Sequence, residues 1–371
     1  MRHDSINNRI GTDRHYLMPW SRQTRHFQPV IARGDGCGII DVDGKRYLDL
    51  SSGWNCTNLG HGNQTIIAAM REQIDRLLYA PPYLTVDIRA EFARALCERA
   101  PWAEGARAHF TTGGGDANDD AVRTARRLTG RSKILAAYRS FHGDTSGTSA
   151  LTGGSRRWAA EPNTFRGVVR FFAPMPYRIP FFTENAGEET VRALDHFKRI
   201  IEQENPESIA AVIIEPVLGS DGLVVYPEGY LKGVRELANR IGALVIHDEI
   251  MCGFGRVGEM FATQRLDLHP DIITFAKGVT GAYVPLGGFL IREGLAARYD
   301  ERIFDAGHTY SGHPLAMAAG LGALRAYDEG NHFKSAYRIE RWLKEGLSEL
   351  QREFEIIGDI RGIGPSSVWS S

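Results

Sequence analysis

Asp271-Ile-Ile-Thr-Phe-Ala-Lys-Gly278 is a short apolar run that ends in a lysine and breaks into glycine-rich chain. Lys277 is the only lysine between Lys232 and Lys334. At the end of a buried strand a lysine is partly desolvated, which lowers its pKa and leaves it neutral enough to form a covalent imine with a carbonyl. A second apolar run, Ala243-Leu-Val-Ile246, ends in His247-Asp248-Glu249 and brings a carboxylate to what should be the edge of the same sheet. An amine and a carboxylate at two strand ends suggest one site. An unpaired carboxylate in that position is expensive, so Asp248 requires a cationic partner; a protonated pyridine-type nitrogen would serve, and so would Arg256. A metal site with His247 and Glu249 is disfavoured, because adjacent residues of a strand point to opposite faces.

The 371 residues are 43% hydrophobic and 24% charged, as in soluble globular proteins, and the length suits about two domains. A net charge of -1 gives no general pull toward nucleic acid or anionic membrane. Small metabolites are the expected partners. Cys37, Cys56, Cys97 and Cys252 are widely spaced, so neither a disulfide framework nor a zinc site is indicated, and no metal is expected. Arg2, Asp4, Arg9, Asp13 and Arg14 interrupt the N-terminus, and no run reaches the roughly 18 apolar residues of a membrane span. A soluble, unexported, cytoplasmic protein is the expectation.

Residues 1–50 read as a small peripheral layer with a hairpin, Gly38-Ile-Ile-Asp41 and Lys45-Arg-Tyr-Leu-Asp-Leu50, turning through Asp43-Gly44. Helical spacing follows over 64–78 and 87–100. From 107 to about 290 strands alternate with helices: strands at 108–111, 132–137, 210–214, 243–246 and 272–276, with helices at 116–129 and 229–241. This alternation predicts an α/β fold with a largely parallel sheet covered by helices. Ligands of such sheets collect at the carboxyl ends of the strands, where Gly114, Phe141, Glu215, Asp248 and Lys277 all fall. The stretch from about 153 to 206, rich in proline and aromatics, resists assignment.

Thr111-Thr-Gly-Gly-Gly-Asp-Ala-Asn118 follows a strand and opens a helix, so Gly114 and Gly115 could let backbone amides cradle a phosphate. A plain turn capped by Asp116 reads equally well. Phe141, in Phe141-His142-Gly143, could stack on a flat heteroaromatic ring or be ordinary core. Glu215 sets a second carboxylate at a strand end, within possible reach of a cofactor substituent or Arg256. His308-Thr-Tyr-Ser-Gly-His-Pro314 is a polar loop in which Thr309 could donate to a phosphate, while Ser311 or His313 with Pro314 would cap the next helix.

In order, these residues resemble the class III (omega) aminotransferases, pyridoxal-phosphate enzymes of fold type I. The resemblance runs from Asp43-Gly-Lys-Arg-Tyr-Leu-Asp49 through Leu59-Gly-His-Gly62 and His247-Asp-Glu-Ile-Met-Cys-Gly-Phe-Gly-Arg-Val-Gly258 to Phe275-Ala-Lys-Gly278, Pro285-Leu-Gly-Gly288, Thr309-Tyr-Ser-Gly-His-Pro314 and Arg361-Gly-Ile-Gly364. It implies pyridoxal 5'-phosphate as cofactor and amino transfer from an amine to pyruvate or another 2-oxo acid. By position, Lys277 would carry the cofactor, Asp248 would pair with its ring nitrogen, and Phe141 would stack on the ring with His142 beside it. Gly114 and Gly115 would hold the phosphate, Glu215 would lie beside the cofactor, Trp54 near the substrate, and Thr309 would reach the phosphate of a neighbouring subunit. That last role implies a homodimer with shared sites.

The expected architecture is a large domain, 51–300, with a mostly parallel sheet flanked by helices, and a small α+β domain from 1–50 and 301–371. Gly113, Gly115 and Asp116 depart from the small hydroxyl residues and glutamate usual in the family, which leaves more of the phosphate to backbone amides. Met251 with Cys252 is similar to the branch that uses ω-amino acids or amines such as β-alanine or taurine. An aminomutase or decarboxylase on the same scaffold would keep all these residues. Relatives continue beyond Gly364 with a pattern unlike Pro365-Ser-Ser-Val-Trp-Ser-Ser371. The expectation is an incomplete small domain arising from a one-base frame slip, with an inactive remnant as one outcome; resequencing the gene tests it.

Overall fold

The computed structural model describes residues 17–23, 29–160, 166–175, 177–178 and 180–370. Strands β1 (Ile31–Asp35), β2 (Gly38–Asp41) and β3 (Arg46–Leu48) form an antiparallel sheet. The turn expected at Asp43-Gly44 joins β2 to β3, with Gly44 at φ 84° and Asp41 Oδ1 accepting from the Asp43 and Lys45 amides. The central sheet takes β4 (Ala106–Thr111), β5 (Lys133–Ala137), β6 (Val168–Phe171), β7 (Ile209–Ile214), β10 (Leu244–Asp248), β11 (Ile272–Phe275) and β12 (Gly287–Arg292). The intervening β8 (Val217–Leu218) and β9 (Val224–Val225) make a separate pair. The central order is β4-β12-β11-β10-β7-β5-β6, and only β12 runs antiparallel to its neighbours.

Alternation along these strands sorts their side chains into two cores. On β7, Ala211 and Ile213 face the helix Gly114–Thr129, while Val212 and Ile214 pack under the helices Ala186–Gln203 and Tyr230–Arg240. The same parity on β10 puts Leu244 and Ile246 on the first face and Val245 on the second. Asp248 therefore emerges on the face of the helix Gly114–Thr129, and His247 on the opposite one. His247 meets Thr263 there, its Nδ1 lying 2.8 Å from the hydroxyl oxygen, and burial pushes its pKa down to about 3. The strand thus carries two residues further than its apolar run suggested.

The stretch left unassigned holds β6 and the 18-residue helix Ala186–Gln203, capped by Asn185, whose side chain accepts from the Glu188 amide. His313, with Pro314 behind it, caps the helix Pro314–Glu329. That helix packs against Gln64–Arg76 and Asp87–Cys97 and shares a core with Phe92, Phe110, Phe254 and Phe275. The helix His332–Glu353 leads into β13 (Asp359–Ile363), which pairs antiparallel with β14 (Ser366–Ser370). No helix among the described residues is long and apolar enough to cross a membrane.

Asp271 ties the sheet together just before β11. Its carboxylate, 2% exposed, accepts from Arg235, from Arg292 Nε at 2.8 Å and from the Val245 amide at 2.9 Å. Burial pushes this carboxyl up, but the Arg235 hydrogen bond and charge outweigh it and hold the pKa below the ordinary value. A depressed carboxyl contributes stability above its unfolded pKa and loses it as pH falls through the folded one. Asp271→Ala should cost about 3 kcal/mol at neutral pH, because two guanidinium groups lose their anion. Urea unfolding of the two proteins checks this, and the gap should close in strong acid; an unchanged midpoint at pH 7 would contradict it.

Candidate active site

The sheet order makes β10 and β11 parallel neighbours, with Asp248 in register with Thr274. The carboxylate at the end of one strand and Lys277, just past the end of the other, therefore stand at the same sheet edge. Lys277 occupies a short 3-10 turn with φ 46°, in the left-handed region that costs an L-residue roughly 1–2 kcal/mol. Strain of this kind collects where a side chain must be aimed. Among the described residues no carboxylate pairs with the Lys277 amine. Its charge is felt by the Cys56 thiol, whose pKa burial nonetheless pushes up.

Asp248, 2% exposed, is held rather than free. Its Oδ2 lies 2.8 Å from His142 Nδ1 and accepts from Asn118 Nδ2 at 2.8 Å; its Oδ1 accepts from the Ile250 amide at 3.0 Å. Asn118 also donates to the His142 carbonyl at 2.8 Å, which locks the histidine loop to the helix Gly114–Thr129. Among the described residues His142 Nε2 is buried without a hydrogen-bond partner. The alternative pairing of Asp248 or Glu215 with Arg256 does not occur; Arg256 donates instead to Ser52 and Asn58. Glu249, next along the chain, accepts from the Ala262 and Thr263 amides.

Glu215 Oε1 accepts from the Phe141 amide at 3.0 Å and Oε2 from the Gly219 amide at 2.9 Å. Burial, with the charge of Asp248 added, pushes its pKa up to about 7 against the opposing pull of His142. The helix Gly114–Thr129 starts at Gly113 without a side-chain cap, which leaves its first amides for a ligand. Asp116 does not cap it, and accepts instead from the Thr112 hydroxyl. Gly143, at φ 132°, brings the histidine loop onto this helix start: a Cβ there would lie 2.9 Å from Gly115 Cα. A Cβ at Gly114 would lie 2.8 Å from Ile250 Cδ1. Only bare backbone fits this corner.

Phe141 is half-buried beside this corner, and the Arg156 guanidinium lies 5.0 Å from its ring centroid. The same guanidinium is 5.8 Å from the ring of Trp54, which meets Trp20 edge-on at 4.6 Å. Trp54 is therefore joined to the Phe141 side of the site through a cation. Thr309 stands apart from this cluster: it is exposed, and its carbonyl accepts from Tyr79 Oη at 3.0 Å. Sequence reasoning gave no role to Asn118, Arg156 or Trp20. Asn118 stands among Asp116, Asp119 and Asp120 on a helix rich in polar residues, so nothing in the sequence singles it out, and Arg156 lies in the unassigned stretch.

A family model described as aminotransferase class-III matches residues 20–369. The chain is 36% identical over 363 residues to a probable aminotransferase of Mycobacterium tuberculosis, covering 95% of this chain and 77% of the relative. It is 33% identical over 353 residues to a 5-aminovalerate aminotransferase of Pseudomonas aeruginosa, covering 92% and 79%. The crystal structure of a taurine:2-oxoglutarate aminotransferase from Bifidobacterium kashiwanohense, in complex with PLP and glutamate, superposes with a TM-score of 0.94 at 36% identity, over 98% of this chain and 82% of that one. An (S)-enantioselective omega-transaminase from Thermomicrobium roseum gives 0.92 at 33% identity, over 99% and 84%. With this sheet order and a carboxylate and a lysine at neighbouring strand ends behind the match, the chain belongs to the class III aminotransferases.

Proposed function

We propose that this aminotransferase takes amines with an anionic tail, ω-amino acids and ω-amino sulfonates, and passes the amino group to pyruvate or another 2-oxo acid with pyridoxal 5'-phosphate as cofactor. The observation that carries the reading is Asp248, fixed by His142 and Asn118 on the strand next to the one that presents Lys277. Two features fit the cofactor: a carboxylate buried at a strand end, and an uncapped glycine helix start that a Cβ would obstruct.

Bound pyridoxal phosphate supplies a carbonyl for covalent attachment and a ring that takes up carbanion charge. Gly114 and Gly115 offer amide protons and the positive end of a helix dipole to the phosphate. Phe141 presents its ring face to the heteroaromatic ring. Asp248 holds the proton on the ring nitrogen, while His142 and Asn118 keep the carboxylate aimed. Glu215, anchored by two amides, stands beside the ring. Lys277 Nζ would tether the cofactor, and as a free amine it would take the proton from the substrate carbon and hand it back, a positioned transfer worth about 10²–10⁴ in rate.

Trp54 lines the substrate side with Arg156, whose cation suits a carboxylate or sulfonate. The donors named for the relatives, taurine and 5-aminovalerate, carry such an anion at the end remote from the amine. The organisation we infer puts 1–50 and 301–371 in a small domain and 51–300 in the cofactor-binding one, with the helix Pro314–Glu329 docked on the latter. The working form is a cytoplasmic homodimer. Thr309, exposed beside the exposed rings of Tyr79 and Tyr310, then reaches the phosphate of the partner subunit.

Borohydride treatment followed by peptide mass mapping should place the cofactor on Lys277. Lys277→Ala should lose that label and at least about 10³ in rate; a label elsewhere, or none, would reject the assignment. Arg156→Gln should raise KM for taurine or β-alanine about 10–100-fold, the worth of a charge-assisted hydrogen bond. An uncharged primary amine should be used as well as before. Equal losses on both donors would contradict the role given to Arg156.

A further inference from the structure

Six residues past the glycine corner, the helix Gly114–Thr129 carries a carboxylate that has no part in the site described above. Asp120 has a fully buried side chain, and its Oδ2 takes two imidazoles at once: His109 Nε2 from β4 at 2.9 Å and His308 Nε2 at 2.8 Å. Each ring nitrogen donates to the same oxygen. Burial pushes the Asp120 carboxyl up, but the two histidine hydrogen bonds outweigh it and keep it below the ordinary value, so the anion persists. His109 is itself wedged between Phe289 and Phe304, with ring centroids at 5.2 and 4.9 Å, so one end of the clamp is rigid.

The other end, His308, opens the loop that displays Thr309. That loop is tied along its length: the His308 amide donates to Ser311 Oγ at 3.0 Å, Tyr79 Oη donates to the Thr309 carbonyl, and Arg89 Nε donates to the Gly312 carbonyl at 2.9 Å. All these bonds hold backbone or neighbours, and the Thr309 side chain is left facing outward. One helix thus has two duties, separated by less than two turns. Its first turn faces the phosphate of its own chain, and its second grips the loop aimed at the phosphate of the other.

We propose that Asp120 and His308 are positioning residues that fix the Thr309 hydroxyl for the partner's phosphate, so that each helix Gly114–Thr129 serves both cofactor sites of the dimer. This rests on the reading of Thr309 in a homodimer given above. The test is pyridoxal phosphate titration of the apo forms of wild type, Thr309→Ala, His308→Ala, His308→Gln and the Thr309→Ala/His308→Ala double variant, with sedimentation confirming dimers. Thr309→Ala and His308→Ala should each raise Kd about tenfold, as for one lost charge-assisted hydrogen bond. His308→Gln, which keeps an N–H donor of similar reach, should stay within about threefold. The double variant should be no weaker than either single one, since both changes remove the same hydroxyl contact. If His308→Ala does not fold, His308→Asn, too short to reach Asp120, takes its place. A weakened Thr309→Ala beside an unaffected His308→Ala, or additive losses in the double variant, would overturn the positioning role alone. An unaffected Thr309→Ala, or a monomer, would overturn the reading beneath it as well.

Discussion

The site depends on one carboxylate held in a place where water cannot reach it. Asp248 sits at 2% exposure at the end of a strand that opens with the apolar residues Leu244, Val245 and Ile246. An isolated anion there would take up a proton rather than remain charged. Asn118 and His142 on Oδ2 and the Ile250 amide on Oδ1 give both of its oxygens hydrogen-bond partners. They arrive from three elements: the helix Gly114–Thr129, the loop after β5, and the turn after β10. The geometry of this one side chain therefore requires the helix, the loop and two strands to be in register.

From that requirement the rest of the layout follows. Strand parity sends Asp248 to the face of the helix Gly114–Thr129 and His247 to the other, so the helix that donates Asn118 also brings its glycine start to the same edge. The neighbouring parallel strand ends two residues before Lys277, whose left-handed φ re-aims the chain there. Glu215 follows the strand on the other side of β10 and pins the Phe141 amide, which fixes the backbone of that residue beside β7. Three adjacent strand ends thus place an anion, an amine and an aromatic surface around one volume. Binding groups held on sheet and helix in this way are more precise than groups held on loops.

Much of this was legible in the sequence because it rests on short-range pattern. Apolar runs of strand length ending in Asp248, Glu215 and Lys277, and three glycines opening a helix, announce their places with no knowledge of tertiary contacts. The antiparallel course of β12 was not legible, since a strand's direction depends on its partners and not on its own residues. Likewise β6 and the helix Ala186–Gln203 lay in a stretch where proline and aromatics mask periodicity. Asn118, Arg156 and the clamp at Asp120 were invisible for a common reason. Each acts on a partner far along the chain: Asn118 on Asp248, Arg156 on Trp54, and Asp120 on His308. Such pairings are set by the finished fold.

The central claim is that Asp248 keeps the cofactor ring nitrogen protonated, and the nitrogen itself reports on it. The direct measurement is the 15N chemical shift of ring-labelled pyridoxal phosphate bound to the wild type and to Asp248→Asn. A pyridinium signal is expected across the neutral range in the wild type, with a shift toward the unprotonated form in the variant. An unprotonated ring nitrogen in the wild type, or a protonated one that survives the loss of the Asp248 charge, would contradict it.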